Sequence, residues 1–338
     1  MATRYLSAQR RGIVLVVVIL IIALMAALVC EFNYDCQVRL HLADNTQRAY
    51  QALYCAEAGV AVATAALGQY DNVWMDDVLS KLLSGMVKLP VGQGYCTISV
   101  TGESGRININ ALKTRRGQLV RYRIDQMLRL IDLLNTQDEK RRPISYGLVP
   151  AIIDWVDSDN DVTVLPFVKG ENAGAESDYY LGLEKPYRCK NGPFEVLGEL
   201  MLVKGMTPEI LQGRVSGESV GPTAGMEQFL TVYGEGKLNI NEASPIVVQT
   251  LSEQIDKALA ESIVEHRPYR SLRELTKVPG MTPEAFEAIQ ELATVQPSDQ
   301  YYAIAARGVV GTCVKIVRIV VQKDRYTGQF TPVVRWEL

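Results

Sequence analysis

The sequence predicts an α+β fold in which a long N-terminal transmembrane and stalk helix carries an antiparallel sheet, with a large all-α domain of two helix-hairpin-helix-like repeats inserted into that body. Three observations predict it. Residues 13–29 contain no charged side chain and run on into helical periodicity as far as residue 67. Alternating apolar segments occur only near residues 95–100 and after residue 300, and the stretch between them repeats itself.

The N-terminal run rises roughly 25 Å as a helix at ~1.5 Å per residue, nearly the ~30 Å of a bilayer core. It therefore reads as a membrane span. No A-x-A-like cleavage site follows it around Leu28-Val29-Cys30-Glu31, so the apolar segment is expected to stay in the mature chain. Arg4, Arg10 and Arg11 precede it without a balancing acid, which places the start of the chain in the cytoplasm and everything after Cys30 outside. From residue 31 to 67 there is no proline, and alanines recur at spacings of three and four, so one helix is expected to serve as both span and stalk.

After an expected loop over residues 85–94, Tyr95-Cys96-Thr97-Ile98-Ser99-Val100 alternates as a strand should, ended by Gly102 and Gly105. Residues 302–307, 313–321 and 332–336 read as three more strands, with turns at Gly311 and at Tyr326-Thr327-Gly328. A lone strand cannot bury its apolar face, so the early one is expected to join the terminal sheet. The roughly 190 residues between them are then an insertion.

Within the insertion, Arg106-Ile107-Asn108-Ile109-Asn110-Ala111 is echoed by Lys237-Leu238-Asn239-Ile240-Asn241-Glu242. Pro193-Phe194 is echoed by Pro268-Tyr269, and Gly205-Met206-Thr207-Pro208-Glu209 by Gly280-Met281-Thr282-Pro283-Glu284. The later phrases lie 75 residues apart but the first lies 131 apart, so the first copy holds about 56 extra residues. Each copy has the form of a helix-hairpin-helix. A DNA-binding hairpin presents backbone N–H groups from a Gly-hydrophobic-Gly turn. Here the second glycine is missing, and Thr207 and Thr282 read as N-caps followed by proline at the first helical position. The Asn-Ile-Asn phrases read as caps or hydrogen-bonding groups between adjacent helices, the alternative being a polar turn.

The 338 residues carry 35 basic and 38 acidic side chains, a net charge of −3, which creates no field favouring nucleic acid. The six cysteines form no C-x-x-C pair, so zinc or thioredoxin-like chemistry has little support. An oxidising compartment allows one disulfide. Cys96 with Cys313, both in expected strands of one sheet, is the favoured pairing, against buried free thiols. Only His41 and His266 are present, neither within a catalytic motif, and no phosphate loop or serine elbow occurs, so no enzyme activity is expected.

The extra residues of the first copy hold the one chemical constellation. Asp154-Trp155-Val156-Asp157-Ser158-Asp159-Asn160-Asp161, Glu171 and Gly174-Ala175-Glu176-Ser177-Asp178-Tyr179-Tyr180 together carry seven carboxylates against one lysine, Lys169. Such crowding repels itself unless a cation answers it. Alternate acids at 157, 159 and 161 resemble the opening of a calcium loop, but Val162 and Val168 stand where an EF-hand needs glycine and glutamate. An irregular site closed by the segment around Glu176 is expected, with an affinity of roughly 10⁻⁴ to 10⁻³ M, as in extracellular modules. The alternative is a solvated acidic loop.

The basic leader ending at Gly12, the apolar run and the alanine-rich stalk resemble the prepilin class of type IV pilins and type II secretion pseudopilins. That resemblance implies cleavage after Gly12 by a prepilin peptidase, Ile13 as the new and then methylated N-terminus, and a pilin-like body. The class places glutamate at the fifth mature position, where it answers the free amine of a neighbouring subunit. This chain has Val17, which suggests the tip of a filament, since an unanswered carboxylate in lipid is costly.

With the Asp-Trp-Val-Asp-Ser-Asp segment, the Gly-Ala-Glu-Ser-Asp-Tyr-Tyr segment and the duplicated hairpin, the chain is similar to the protein K family of minor pseudopilins. The resemblance implies calcium held by Asp157, Asp159, Glu176 and Asp178, with Asp161 a further candidate. It implies a tip complex with other minor pseudopilins and contact with secreted substrates, and the charge balance adds the expectation of no nucleic acid. It also implies a single-pass inner-membrane protein with its bulk in the periplasm. The expected divisions are leader 1–12, span 13–30, body 31–104 with 297–338, and insertion 105–296. The insertion divides into repeat one over 105–215, with the acidic loop at 154–180, and repeat two over 235–296. A membrane-anchored DNA-uptake receptor, a minor pilin of a related type IV pilus system and a metal-dependent surface enzyme are the alternatives.

Overall fold

The computed structural model describes residues 2–69, 81–82, 84–114, 117–137, 143–168, 170–214, 223–296, 300–324 and 327–337, with side chains from Val14 onward. Gly12 and Ile13 lie outside the residues whose side chains are described.

The chain begins with α1 (Ala2–Gln69), one unbroken helix of 68 residues, about 100 Å long at ~1.5 Å per residue. Among the described residues, no side chain of its apolar stretch from Val14 onward is covered by the rest of the protein, so this surface needs lipid or other helices around it. Phe32, Tyr34, Val38, Leu40 and Leu42 are exposed as well, and the first buried residue on α1 after Val14 is Ala52. The helix therefore carries the body about 30 Å beyond the apolar stretch, at ~1.5 Å per residue.

There follow β1 (Leu89–Val91) and β2 (Gly94–Gly102), a hairpin turned at Gly92 and Gln93. Part of the expected loop over 85–94 is thus a strand. Three residues offered too little alternation to reveal it, and the pairing with β2 creates it.

The inserted domain contains β3 (Ile107–Asn108), α2 (Arg121–Gln137), α3 (Leu148–Val156), α4 (Ser177–Leu181), α5 (Pro208–Gln212) and the β4–β5 pair (Gly213–Arg214, Thr223–Ala224). It continues with β6 (Leu230–Thr231), β7 (Leu238–Asn239), α6 (Pro245–Gln249), α7 (Lys257–Glu265), α8 (Pro283–Gln290) and β8 (Ala293–Thr294). The chain returns to the body as β9 (Gln300–Val310), β10 (Cys313–Lys323) and β11 (Phe330–Glu337).

The sheet is antiparallel throughout, in the order β1-β2-β9-β10-β11. The early hairpin joins the terminal strands, as burial of its apolar face demands. Tyr302, Ile304, Ala306 and Gly308 alternate onto the face covered by α1, and Tyr301 stacks on Tyr233 of the inserted domain at 5.4 Å. The alanine spacing on α1 now has a cause. Ala52, Ala56, Gly59 and Ala63 form a stripe of small residues that lets the helix backbone lie close over Ala306 and Gly308.

Cys96 and Cys313 do not form the expected disulfide. They sit on strands flanking β9, opposite Gly308 and Val310 respectively. Two strand spacings of ~4.8 Å separate them, beyond the ~7 Å that a disulfide spans between Cα atoms. All six cysteines are free. Cys96 packs instead beneath Gly59, where an added Cβ would lie 3.2 Å from its sulfur.

The two copies in the insertion share the same asparagine clamp. Asn110 Nδ2 donates to the Phe194 and Val232 carbonyls at 3.0 and 2.9 Å and its Oδ1 accepts from Phe194 N at 2.8 Å. Asn241 Nδ2 donates to the Tyr269 and Val295 carbonyls at 2.9 and 3.4 Å and its Oδ1 accepts from Tyr269 N at 2.8 Å. Asn108 and Asn239 each cap the turn by accepting from the N–H two residues on. The first Asn of the phrase thus caps a helical turn, as expected, and the second clamps loop carbonyls. Each copy closes with a two-residue parallel ladder, β3 on β6 and β7 on β8, so the first unit runs past residue 215 to Val232. Thr207 and Thr282 are N-caps as expected, accepting from Ile210 N and Ala285 N at 3.3 and 3.1 Å.

Candidate metal centre

The site is built where α3 ends. Every side chain of α3 from Leu148 to Trp155 is buried, so an acid in its last turn must be buried too. Asp154 is fully buried, and Asp157 follows three residues later on the same face, 7% exposed, with its N–H closing the helix on Ile153 O. Trp155 packs among Tyr180, Tyr187 and Phe194, with ring centroids 5.4 to 6.3 Å away, and anchors the helix end on an apolar floor.

The chain then doubles back. Val164 bridges to Ala173, Leu165 N donates to Asn172 O, and Gly174 N donates to Thr163 O. This hairpin returns Glu176, 3% exposed, to the acids of α3. Gly174 is required at the closest approach, because a Cβ there would lie 2.2 Å from Asp154 Oδ2 and 2.6 Å from Pro150 O.

Asp154, Asp157 and Glu176 each bring a carboxylate oxygen within 4.8 Å of the others. Asp154 Oδ1 accepts from Thr163 N at 2.9 Å, and Lys113 Nζ pairs with Asp157 Oδ2. Asp154 Oδ2, Asp157 Oδ1 and both oxygens of Glu176 are buried without a hydrogen-bond partner. Burial, reinforced by the neighbouring carboxylates of Asp154, Asp157 and Asp159, pushes Glu176 up to about 7. Burial likewise pushes Asp154 up to about 6, against the Thr163 contact. It raises Asp157 too, with Lys113 opposing.

The residues fit a hard divalent cation. Four unpartnered carboxylate oxygens in one buried cluster are costly unless an ion answers them, and carboxylate oxygen is the donor that calcium takes. Of the five expected ligands, Asp157 and Glu176 meet in the cluster. Asp159 lies exposed beside it, its Oδ1 accepting from Asp161 N at 3.0 Å, while Asp161 and Asp178 are exposed and outside it. Alternation within the loop suggested Asp159 and Asp161, which the turn at Asp159 leaves in solvent, and the family resemblance suggested Asp178, which is exposed in the first turn of α4. Asp154 is the cluster member that loop spacing missed, although its i, i+3 relation to Asp157 on a helix was readable. Lys113, remote in sequence, left no local signal.

A sequence model described as type II secretion system, protein K matches residues 105–213, which include Lys113, Asp154, Asp157 and Glu176, and a helix-hairpin-helix motif model matches residues 220–294. The chain is 27% identical to a type II secretion system protein K of Klebsiella pneumoniae over 215 residues, 60% of each chain. It is 24% and 22% identical to those of Pectobacterium carotovorum and Aeromonas hydrophila, over 86% and 85% of each chain. The match thus spans about 60% of the length of the Klebsiella relative and most of the other two. Its fold is similar to a chain in the crystal structure of the GspK-GspI-GspJ complex from the type 2 secretion system of enterotoxigenic Escherichia coli. The TM-score is 0.62 at 16% identity, covering 88% of this chain and 99% of that one. With a protein K sequence model matched across its acidic cluster, relatives of that name along most of its length and a shared fold, the chain is similar to type II secretion system protein K.

Proposed function

We propose that this protein is a minor pseudopilin that caps the tip of the type II secretion pseudopilus, supporting its initiation and protein export across the outer membrane. The observation that carries this reading is α1, in which an uncovered apolar stretch and the helix that packs the sheet are one continuous element. Such a helix can sit in the inner membrane before assembly and among other helices afterwards, with the bulk of the chain in the periplasm. Val17, where the prepilin class has glutamate, suits a subunit with nothing above it. The similar chain from enterotoxigenic Escherichia coli lies in a complex with GspI and GspJ, which supports smaller minor pseudopilins as partners. Secreted substrates would be met at the exposed inserted domain, and the chain's role is structural rather than enzymatic.

Mass spectrometry of the membrane-extracted protein is expected to find a mature N-terminus at Ile13, methylated, and co-purification of two smaller pseudopilins. An intact leader overturns the pseudopilin reading. Salt-sensitive binding of duplex DNA by a chain lacking such partners would favour the DNA-uptake alternative.

Calcium at Asp154, Asp157 and Glu176 is the second part of the proposal, with Asp159, Asp161 or Asp178 completing the shell only if the loop closes on the ion. A bound ion at about 100 times its Kd stabilises by about 2.7 kcal/mol. The pH dependence follows from the raised acids. Glu176 and Asp154 stand above their unfolded values, so the metal-free fold holds extra protons and loses stability as pH rises from about 4 through 7. Thermal unfolding is therefore expected to show a larger calcium-induced rise in Tm at pH 8 than at pH 5.5, where protons compete for the same oxygens. A rise that is equal at both pH values, or absent, counts against calcium at this cluster.

A further inference from the structure

Lys113 follows the Asn-Ile-Asn phrase of the first copy, three residues beyond Asn110. That segment is held by the Asn110 clamp on Phe194 and Val232 and by a backbone bridge from Lys113 to Leu119. The backbone of Lys113 is thus fixed independently of the acidic loop, and its side chain, 12% exposed, enters the cluster to pair with the buried Asp157 carboxylate. The equivalent position in the second copy is Ser244, whose hydroxyl caps α6 by accepting from Val247 N at 3.4 Å. The copy without the acidic insertion has no lysine there. Serine at this position suffices for the hairpin fold, so the lysine goes with the acids.

We propose that Lys113 is the resident counter-charge of the metal centre, which sets the number of charges that an incoming ion must supply. Three carboxylates and one ammonium leave two negative charges, matched by one divalent cation. By occupying Oδ2 of Asp157, Lys113 also leaves Oδ1 as the oxygen that this residue offers. Lys113 is a specificity-determining residue in this account: it disfavours a trivalent ion of calcium's size, because an ion with one more charge suffers more repulsion from the ammonium.

The inference rests on the calcium reading, and its test separates the two. Calcium and terbium affinities are measured by titration calorimetry and by terbium luminescence on the full chain in detergent, for wild type, Lys113→Met, Lys113→Gln and Lys113→Arg. Circular dichroism confirms the fold of each. Terbium affinity relative to calcium is expected to rise about tenfold in Lys113→Met and in Lys113→Gln, and to return towards wild type in Lys113→Arg, which restores the charge. A lysine needed only for structure would weaken both ions together and leave their ratio alone, and that result in either folded neutral variant overturns the proposal. A wild-type chain that binds neither ion overturns the calcium reading and this inference with it.

Discussion

Replacing Gly308 with alanine is expected to destabilise the helix–sheet body by about 3 kcal/mol, at the upper end of what overpacking of a tight core costs. An added Cβ would lie 1.9 Å from the Ala52 carbonyl oxygen and 2.7 Å from Ala56 N, both backbone atoms of α1. No rotamer change relieves a clash between a Cβ and backbone. Either α1 lifts from β9, forfeiting contacts across the core that holds Ala52, Cys96 and Ile304, or the strand bows away. Gly198→Ala, where an added Cβ meets nothing within 4 Å, is the matching control and is expected to stay within about 0.5 kcal/mol of wild type. Urea unfolding of the full chain in detergent measures both. A Gly308 variant as stable as the control would mean that α1 does not lie on β9 as described.

Asn110→Ala is expected to cost the inserted domain about 3 kcal/mol. It removes three side-chain hydrogen bonds and strands Phe194 N, Phe194 O and Val232 O, and each unsatisfied buried group costs about 1–3 kcal/mol where water cannot fully replace the lost partner. The inserted domain has its own core, separate from that of the body, so its unfolding transition should fall while the body's stays. Asn241→Ala, which strands the equivalent groups of Tyr269 and Val295, should lower the same transition by a similar amount. The two variants are expected to differ in one respect. Asn110 anchors the segment carrying Lys113 whereas Asn241 does not, so only Asn110→Ala should alter calcium affinity. Equal calcium binding in both variants would separate the clamp from the metal centre.

Much of this architecture was legible from local pattern. The continuous helix α1 followed from an uninterrupted apolar and alanine-rich period, and the strands around Tyr95 and after residue 300 from strict alternation. The duplication followed from repeated phrases whose offsets differ by the length of the acidic insertion. Strand β1 and the short ladders β3–β6 and β7–β8 were not legible, because two or three residues carry no period of their own and exist only through their partners. The pairing of Leu230 and Thr231 with the start of the first repeat was hidden for the same reason, since it spans more than a hundred residues.

The metal centre divides along the same line. Composition pointed to the acidic segment, with seven acids against one lysine in a short stretch, and of the acids expected there Asp157 and Glu176 join the buried cluster. Which acids meet depended on helix phase and on the hairpin over residues 163–174, which buries Asp154 with Asp157 and leaves Asp159, Asp161 and Asp178 in solvent.

By itself the sequence determined the class of fold, the membrane-directed helix, the duplicated insertion and the acidic segment, because these depend on periodicity, composition and repetition along the chain. Only the tertiary structure decided that α1 lies close over Gly308, that the Asn phrases clamp loop carbonyls, that Cys96 and Cys313 stand two strands apart, and that Lys113 meets Asp157. These are contacts between residues far apart in the chain, set by how the elements pack, and no local pattern encodes which side chains packing brings together.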